Sequence, residues 1–298
     1  MLRLLFIELA AIAIIFLALR LIRGKIRFFR KGYVVCKDSY MQNAEMRIIV
    51  EDTHFFRKKE SNFRSVRVGK SNMVYSRVPL DKNNNALMVY GYCAPMLGML
   101  RGSGTPIRRT LTLGGGGGAV PRYILASYED SAADIVEFNA DSIRVMRQHF
   151  LEDYVGGATP RANLIHADAK EAVKTLDAPY QFIFCDLYIG VQPADLTYDE
   201  AFMREISRLA GDRGMLVING GSLNIMGVRI VLRTLLKTFT NMWAMFLDRE
   251  GFVLVAANRE LPAMDNLLRN SNQIIAVYPN MMTKESLLSD SPGETPMA

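Results

Sequence analysis

TLTLGGGGGA, residues 110–119, is the stretch that decides how this chain folds. A short run of strand character ends at Leu113, five glycines follow in succession, and a helical stretch begins after them. At a strand–helix junction, glycines let the backbone come close to a ligand and point amide groups at it. A structural turn accounts for one or two glycines, and five exceed what packing requires. Gly114, Gly115, Gly116 and Gly118 are therefore assigned to ligand binding.

Working outward, ADIVEF (133–138), ANLIHA (162–167), YQFIFC (180–185), GMLVIN (214–219) and GFVLVAA (251–257) read as further strands. Helical stretches separate them. DSIRVMRQHF (141–150) sets Ile143, Met146 and Phe150 on one face, and others run through 198–209 and 225–239. Strand and helix in alternation imply an α/β domain over 107–282, a parallel sheet with helices on both faces. Upstream, residues 32–106 hold the shorter strand candidates MRIIV (46–50), SVRV (65–68), MVYSRV (73–78) and ALMVY (86–90), with DKNNN (81–85) as a turn. They predict a small β-rich N-terminal domain, and RGSGTP (101–106) marks the passage out of it. The stretch 283–298 is polar, holds two prolines and reads as a disordered tail.

Three carboxylates stand at the ends of successive strand candidates. Glu137 closes the strand after the glycines, about 20 residues on, where nucleotide-binding α/β domains place the acid that accepts ribose hydroxyls. Asp168 follows the next strand and Asp186 the one after it. Open α/β sheets bind ligands beyond the carboxyl ends of their strands, so all of these features converge on one crevice. Either aspartate alone would serve as well to cap a helix. Four successive tips carrying glycines, Glu, Asp and Asp are harder to assemble without a site.

The formal charge of +6 raises the question of a nucleic-acid partner. Residues 1–31 contain Arg3, Arg20, Arg23, Lys25, Arg27, Arg30 and Lys31 against Glu8, which leaves 29 of the 36 basic and 29 of the 30 acidic side chains elsewhere. The rest of the chain is thus neutral, and no nucleic-acid partner is expected. The same segment reads LLFIELAAIAIIFLAL over 4–19. Its length approaches the roughly 20 residues that cross a bilayer core. The basic cluster comes after the apolar run, unlike a secretory signal, and predicts a cytoplasmic C-terminal side. Residues 1–31 are accordingly expected to form a transmembrane helix with a basic flank, in a single-pass membrane protein with its catalytic domain on the cytoplasmic side.

Cys36, Cys93 and Cys185 are widely spaced and fit no metal-ligand pattern, and neither do His54, His149 and His166. No metal is expected.

Residues 33–258 resemble the spermidine synthase (polyamine aminopropyltransferase) family, built on the class I methyltransferase fold. The family's GGGDGG motif corresponds to Gly114–Ala119. Its ribose-binding glutamate falls on Glu137, in VEFN, and the aspartate that holds the adenine amino group falls on Asp168, in HADA. Its catalytic aspartate, which opens a D-x-x-D-x-x-x-P-A loop, falls on Asp186, with Pro193 and Ala194 at the right spacing. A Tyr-Gln pair falls on Tyr92 and Cys93, and Ser39-Tyr40 lie near the opening of the family's N-terminal strand domain. The resemblance implies an S-adenosylmethionine-type nucleotide as co-substrate, a small-molecule acceptor, and a loop over 187–197 that closes on it. A homodimer is a possible assembly.

The departures bear on the reaction. The aspartate of GGGDGG is Gly117 here, the second aspartate of the loop is Ile189, and Cys93 and Ala94 stand where the family has Gln and often Glu. The missing groups are those expected to hold ammonium ends, which need paired carboxylates once desolvated. On this ground, methyl or related alkyl transfer from intact S-adenosylmethionine leads. Aminopropyl transfer from decarboxylated S-adenosylmethionine is the alternative, followed by a catalytically lapsed nucleotide-binding protein and an NAD-dependent oxidoreductase. In either transfer Asp186 takes a proton from the acceptor and Tyr92 orients it.

Overall fold

The computed structural model describes residues 25–41, 47–69, 73–81, 100, 105–152, 161–177, 179–189, 192–221, 223, 225–247, 251–261 and 274–278. The chain divides between Met88 and Val89 into two compact units.

The first unit is an antiparallel meander of β1 (Ile26–Phe29), β2 (Gly32–Met41), β3 (Arg47–Phe55), β4 (Phe63–Val68) and β5 (Met73–Pro79), in that spatial order. Three of these lie where strands were expected. The candidate over 86–90 falls outside the described residues. β3 runs five residues past the apolar run RIIV because its polar half is buried in pairs across the sheet. Asp52 accepts from Arg64 Nε at 2.7 Å and from its Nη2 at 3.0 Å, and Glu51 pairs with Arg67 at 2.9 Å and also with Arg27. Bidentate geometry of the Asp52–Arg64 kind is the strong form of such a bond.

The expected membrane placement is corrected here. Among the described residues no helix is long and apolar enough to cross a membrane. Residues 1–24 of the expected anchor lie outside the described residues, and 26–29 of its expected basic flank form a strand. Arg27, counted there as a positive-inside charge, is committed to Glu51 in the sheet. The single-pass assignment therefore falls.

The second unit follows the expected alternation. β6 (Arg109–Leu113) leads to α1 (Ala119–Ser127), β7 (Ala132–Glu137) to α2 (Ala140–Met146), and β8 (Ala162–His166) to α3 (Ala169–Thr175). Then come β9 (Phe182–Cys185), a small hairpin of β10 (Tyr188–Ile189) and β11 (Gln192–Pro193), and α4 (Glu200–Ala210). β12 (Met215–Gly221), α5 (Ile225–Leu236), β13 (Asn241–Leu247), β14 (Gly251–Ala257) and β15 (Ile274–Tyr278) complete it. The sheet order is β15-β13-β14-β12-β9-β6-β7-β8.

The middle of this sheet is buried on both faces. Leu111 and Leu113 point with Ile183, Cys185, Leu216 and Ile218 into a core closed by Val173 of α3, Ile206 of α4 and Val231 of α5. On the other face Ala133 and Ile135 pack with Leu125 of α1 and Met146 of α2. The alternate residues Thr110 and Thr112 are no more than 1% exposed, as befits a central parallel strand.

The sheet is mixed where a parallel one was expected. β6, β7, β8, β9 and β12 are parallel, but β14 runs antiparallel to β12 and β13, and β15 runs antiparallel to β13. Only three residues join β13 to β14, far short of the dozen or more that a parallel crossover needs.

Removing Asp52 takes away the two hydrogen bonds that its carboxylate accepts from the buried Arg64. Asp52→Ala should lower the unfolding free energy of the full chain's first transition in urea by about 1.5–3 kcal/mol. A loss below about 1 kcal/mol would show that the Asp52–Arg64 pair is not holding the meander.

Candidate active site

Backbone hydrogen bonds lace the carboxyl ends of the parallel strands into one rim. Gly114 N–H donates to Val136 O at 2.9 Å, joining the tips of β6 and β7. Asp186 N–H donates to Leu113 O at 2.8 Å, and Ala167 N–H donates to Glu137 O at 3.2 Å, bringing in β9 and β8. The glycine loop, Glu137, Asp168 and Asp186 thus lie along one edge.

Close packing explains more of the glycine loop than the sequence suggested. Gly114 takes φ +86°, and a Cβ there would fall 2.2 Å from the Asp186 carbonyl oxygen. A Cβ on Gly115 or Gly118 would meet the Met146 side chain at 2.4 or 2.5 Å, and Gly118 also holds φ +73°. Gly116 differs. Its φ is +51°, yet a Cβ would meet nothing within 4 Å, so the loop is open on that side. Met146 of α2 is the wedge under the loop, and Gly116 is the point at which a ligand can pass closest to the backbone.

The loop amides turn toward Glu137 instead of outward. Gly115 and Gly116 N–H donate to Glu137 Oε2 at 3.0 and 3.2 Å, and Asn139 N–H donates to Oε1 at 2.9 Å. Glu137 is 7% exposed. Burial pushes its carboxyl above the ordinary value, and the amides of Asn139, Gly116 and Gly115 pull against that rise. A buried carboxylate already sits where a phosphate would accept from such a loop.

Asp168 is exposed and caps α3, its Oδ1 accepting from Lys170 N–H at 2.8 Å. Asp186 is half-buried, and its Oδ1 accepts from Asn219 Nδ2 at 2.8 Å. Asn219 itself was not singled out in the sequence. A polar residue ending a buried strand at the same level as the other tips was the available signal.

Two titratable neighbours of Asp186 are held neutral. Burial, and then the Asp186 charge, push the Cys185 thiol up to about 12, too high for a thiolate nucleophile at neutral pH. The same two causes raise the Tyr188 phenol, which stays protonated and donates to Asn219 O at 3.1 Å. Tyr92, with Cys93 and Ala94, lies outside the described residues. Among the described residues no group of three His, Cys, Asp or Glu could hold a metal ion.

A mixed α/β sheet of this order, with the candidate residues on its carboxyl edge, has the Rossmann-like fold of the class I methyltransferase type. Residues 95–243, half of the chain, match the spermine/spermidine synthase domain. The chain belongs to that family. A polyamine aminopropyltransferase of Thermococcus onnurineus is 31% identical over 116 residues, covering 39% of this chain and 41% of the relative. The chain thus spans about two fifths of the length of the curated relative it matches. A probable spermidine synthase from Corynebacterium glutamicum superposes with TM-score 0.65 at 18% identity, over 79% of this chain and 85% of that one. A spermidine synthase in complex with the transition-state analogue AdoDATO gives 0.52 at 16% identity, over 80% of each. At such identities the structures establish the fold.

Gly118→Ala should destabilise the protein for two separable reasons. The left-handed backbone costs about 1–2 kcal/mol with any Cβ, and the Met146 collision adds to it. In a Met146→Ala background the second part should vanish and the first persist, as read from urea denaturation of the four proteins. Equal penalties in both backgrounds would remove Met146 from its place under the loop.

Proposed function

We propose that this protein is an aminopropyltransferase, moving the aminopropyl group of decarboxylated S-adenosylmethionine to an amine acceptor. The observation that carries the reading is the family match over 95–243, which spans the glycine loop, Glu137, Asp168 and Asp186. Curated relatives named as polyamine aminopropyltransferases favour this transfer over the methyl transfer that the sequence departures suggested.

The rim suits the nucleoside part of such a co-substrate. Glu137 would accept the ribose hydroxyls while its other contacts keep the loop in place, and Asp168 would accept from the adenine amino group. The open face at Gly116 lets the nucleoside pass close to the backbone. The co-substrate supplies a sulfonium carbon whose displacement releases a neutral thioether. Asp186 then holds the acceptor amine and takes its proton as the new C–N bond forms and the C–S bond breaks. Alignment of the two reactants supplies much of the acceleration. A dinucleotide fits poorly, since the Glu137 carboxylate on the loop amides would repel a pyrophosphate there.

Methyl transfer from intact S-adenosylmethionine is the second reading, favoured by Gly117 and Ile189 where the family carries aspartates. Incubating the protein with either nucleotide and a diamine separates the two by mass spectrometry. Aminopropyl transfer gives methylthioadenosine and an acceptor heavier by one aminopropyl group. Methyl transfer gives S-adenosylhomocysteine, and no product from either nucleotide overturns both.

Asp186→Asn should reduce kcat by about 10²–10⁴-fold, the usual worth of a proton-accepting group, while nucleotide Kd stays within twofold by calorimetry. Glu137→Ala should weaken nucleotide binding by about 1–3 kcal/mol. Unchanged kcat in the first, or unchanged Kd in the second, contradicts the assigned role.

A further inference from the structure

Asn219 stands near the end of the buried part of β12 and is 8% exposed. Its amide makes two bonds of opposite sense. Nδ2 donates to Asp186 Oδ1 at 2.8 Å, and Oδ1 accepts from Gly221 N–H at 3.0 Å. The backbone N–H of Gly221 can only donate, so it fixes which end of the amide faces it. A flipped amide would set two donors against each other and its oxygen against the Asp186 carboxylate.

The strand is shaped to deliver that N–H. Its register against β14 shifts between Asn219 and Gly221, a bulge of the sort that re-aims a side chain beside a functional site. Gly221 takes φ +45°, and a Cβ there would lie 2.0 Å from the Tyr188 hydroxyl oxygen. Tyr188 in turn donates to Asn219 O from the hairpin of β10 and β11. The bulge, the glycine and the tyrosine together hold one amide in one orientation.

We infer that Asn219 is a positioning residue for Asp186, a neutral donor that fixes the carboxylate's rotation at the rim. The inference rests on the transfer reading for its consequence in turnover, and on geometry alone for its effect on Asp186. A neutral donor on Oδ1 orients the carboxylate without cancelling its charge, which an arginine or lysine in the same place would do. It leaves Asp186 able to accept a proton. Cys185 and Tyr188 adjoin Asp186 and, like Tyr198 beside Tyr188, are titratable; burial holds the first two in their neutral forms.

The isosteric Asn219→Asp variant places a second carboxylate against Asp186 Oδ1. Two such groups share a proton and titrate as a pair, with one apparent pKa raised. The acidic limb of the kcat/KM profile should therefore move up by about one pH unit or more. At pH 7 kcat should fall by about tenfold or more, with nucleotide Kd within twofold of wild type. Asn219→Ser, which keeps a donor but not the reach, should lower kcat without moving the limb. A purely structural asparagine would change the melting temperature in both variants and leave the limb where it was, and that result overturns the inference. If the wild-type protein transfers no group at all, the transfer reading fails separately. The Asp186 carboxyl titration, followed by carbon-13 NMR in wild type and Asn219→Asp, then decides. A raised midpoint supports the positioning role, and an unmoved one refutes it.

Discussion

The Glu137 carboxylate, buried at the tip of β7 and accepting the amides of Gly115, Gly116 and Asn139, is the interaction on which this site depends. It binds the loop after β6 to the start of α2 and closes the loop's amides inward. An unpaired buried carboxylate would be costly, and three charge-assisted bonds offset that cost. From the same point Glu137 O receives Ala167 N–H, so the position of Asp168 is tied to it through one peptide. The opposite neighbour, β9, is tied by Asp186 N–H to Leu113 O. The placement of Glu137, Asp168 and Asp186 at the carboxyl ends of β7, β8 and β9 thus follows from a short series of bonds around the glycines.

Much of this was legible because chemistry and periodicity coincide there. TLTL, ADIVEF, ANLIHA and YQFIFC each end next to a candidate site residue, and the structure sets those ends side by side. The glycines were legible as a loop, but the reason for most of them was not. Met146 lies 28 residues beyond Gly118, and nothing local reveals that its side chain fills the space beneath. Asn219 escaped notice for a similar reason, since its role comes from a bulge and from Gly221, which are properties of pairing.

The misreadings have physical causes as well. β2 does not alternate cleanly because its register against β3 shifts between Cys36 and Asp38, and a broken alternation hides a strand. β1 was hidden in a basic cluster, and Arg27 looked like a membrane-flanking charge until its partner Glu51 was seen. β13 carries Trp243 and two methionines in a run with no polar alternation. Its short link to β14 gives the antiparallel edge that a strand–helix alternation does not foretell.

The departures at Gly117, Ile189 and Cys93 now read as features of a family member that keeps the candidate residues of the rim. The residues that would hold the nucleoside and accept the proton are present and laced together, while acids that could grip ammonium groups are replaced. The direct test of the central claim is a crystal structure of the protein with decarboxylated S-adenosylmethionine. The account predicts both ribose hydroxyls within hydrogen-bond distance of Glu137, the adenine amino group at Asp168, and the sulfonium turned toward Asp186. A nucleotide bound elsewhere, or one whose ribose leaves Glu137 untouched on the loop amides, would contradict it.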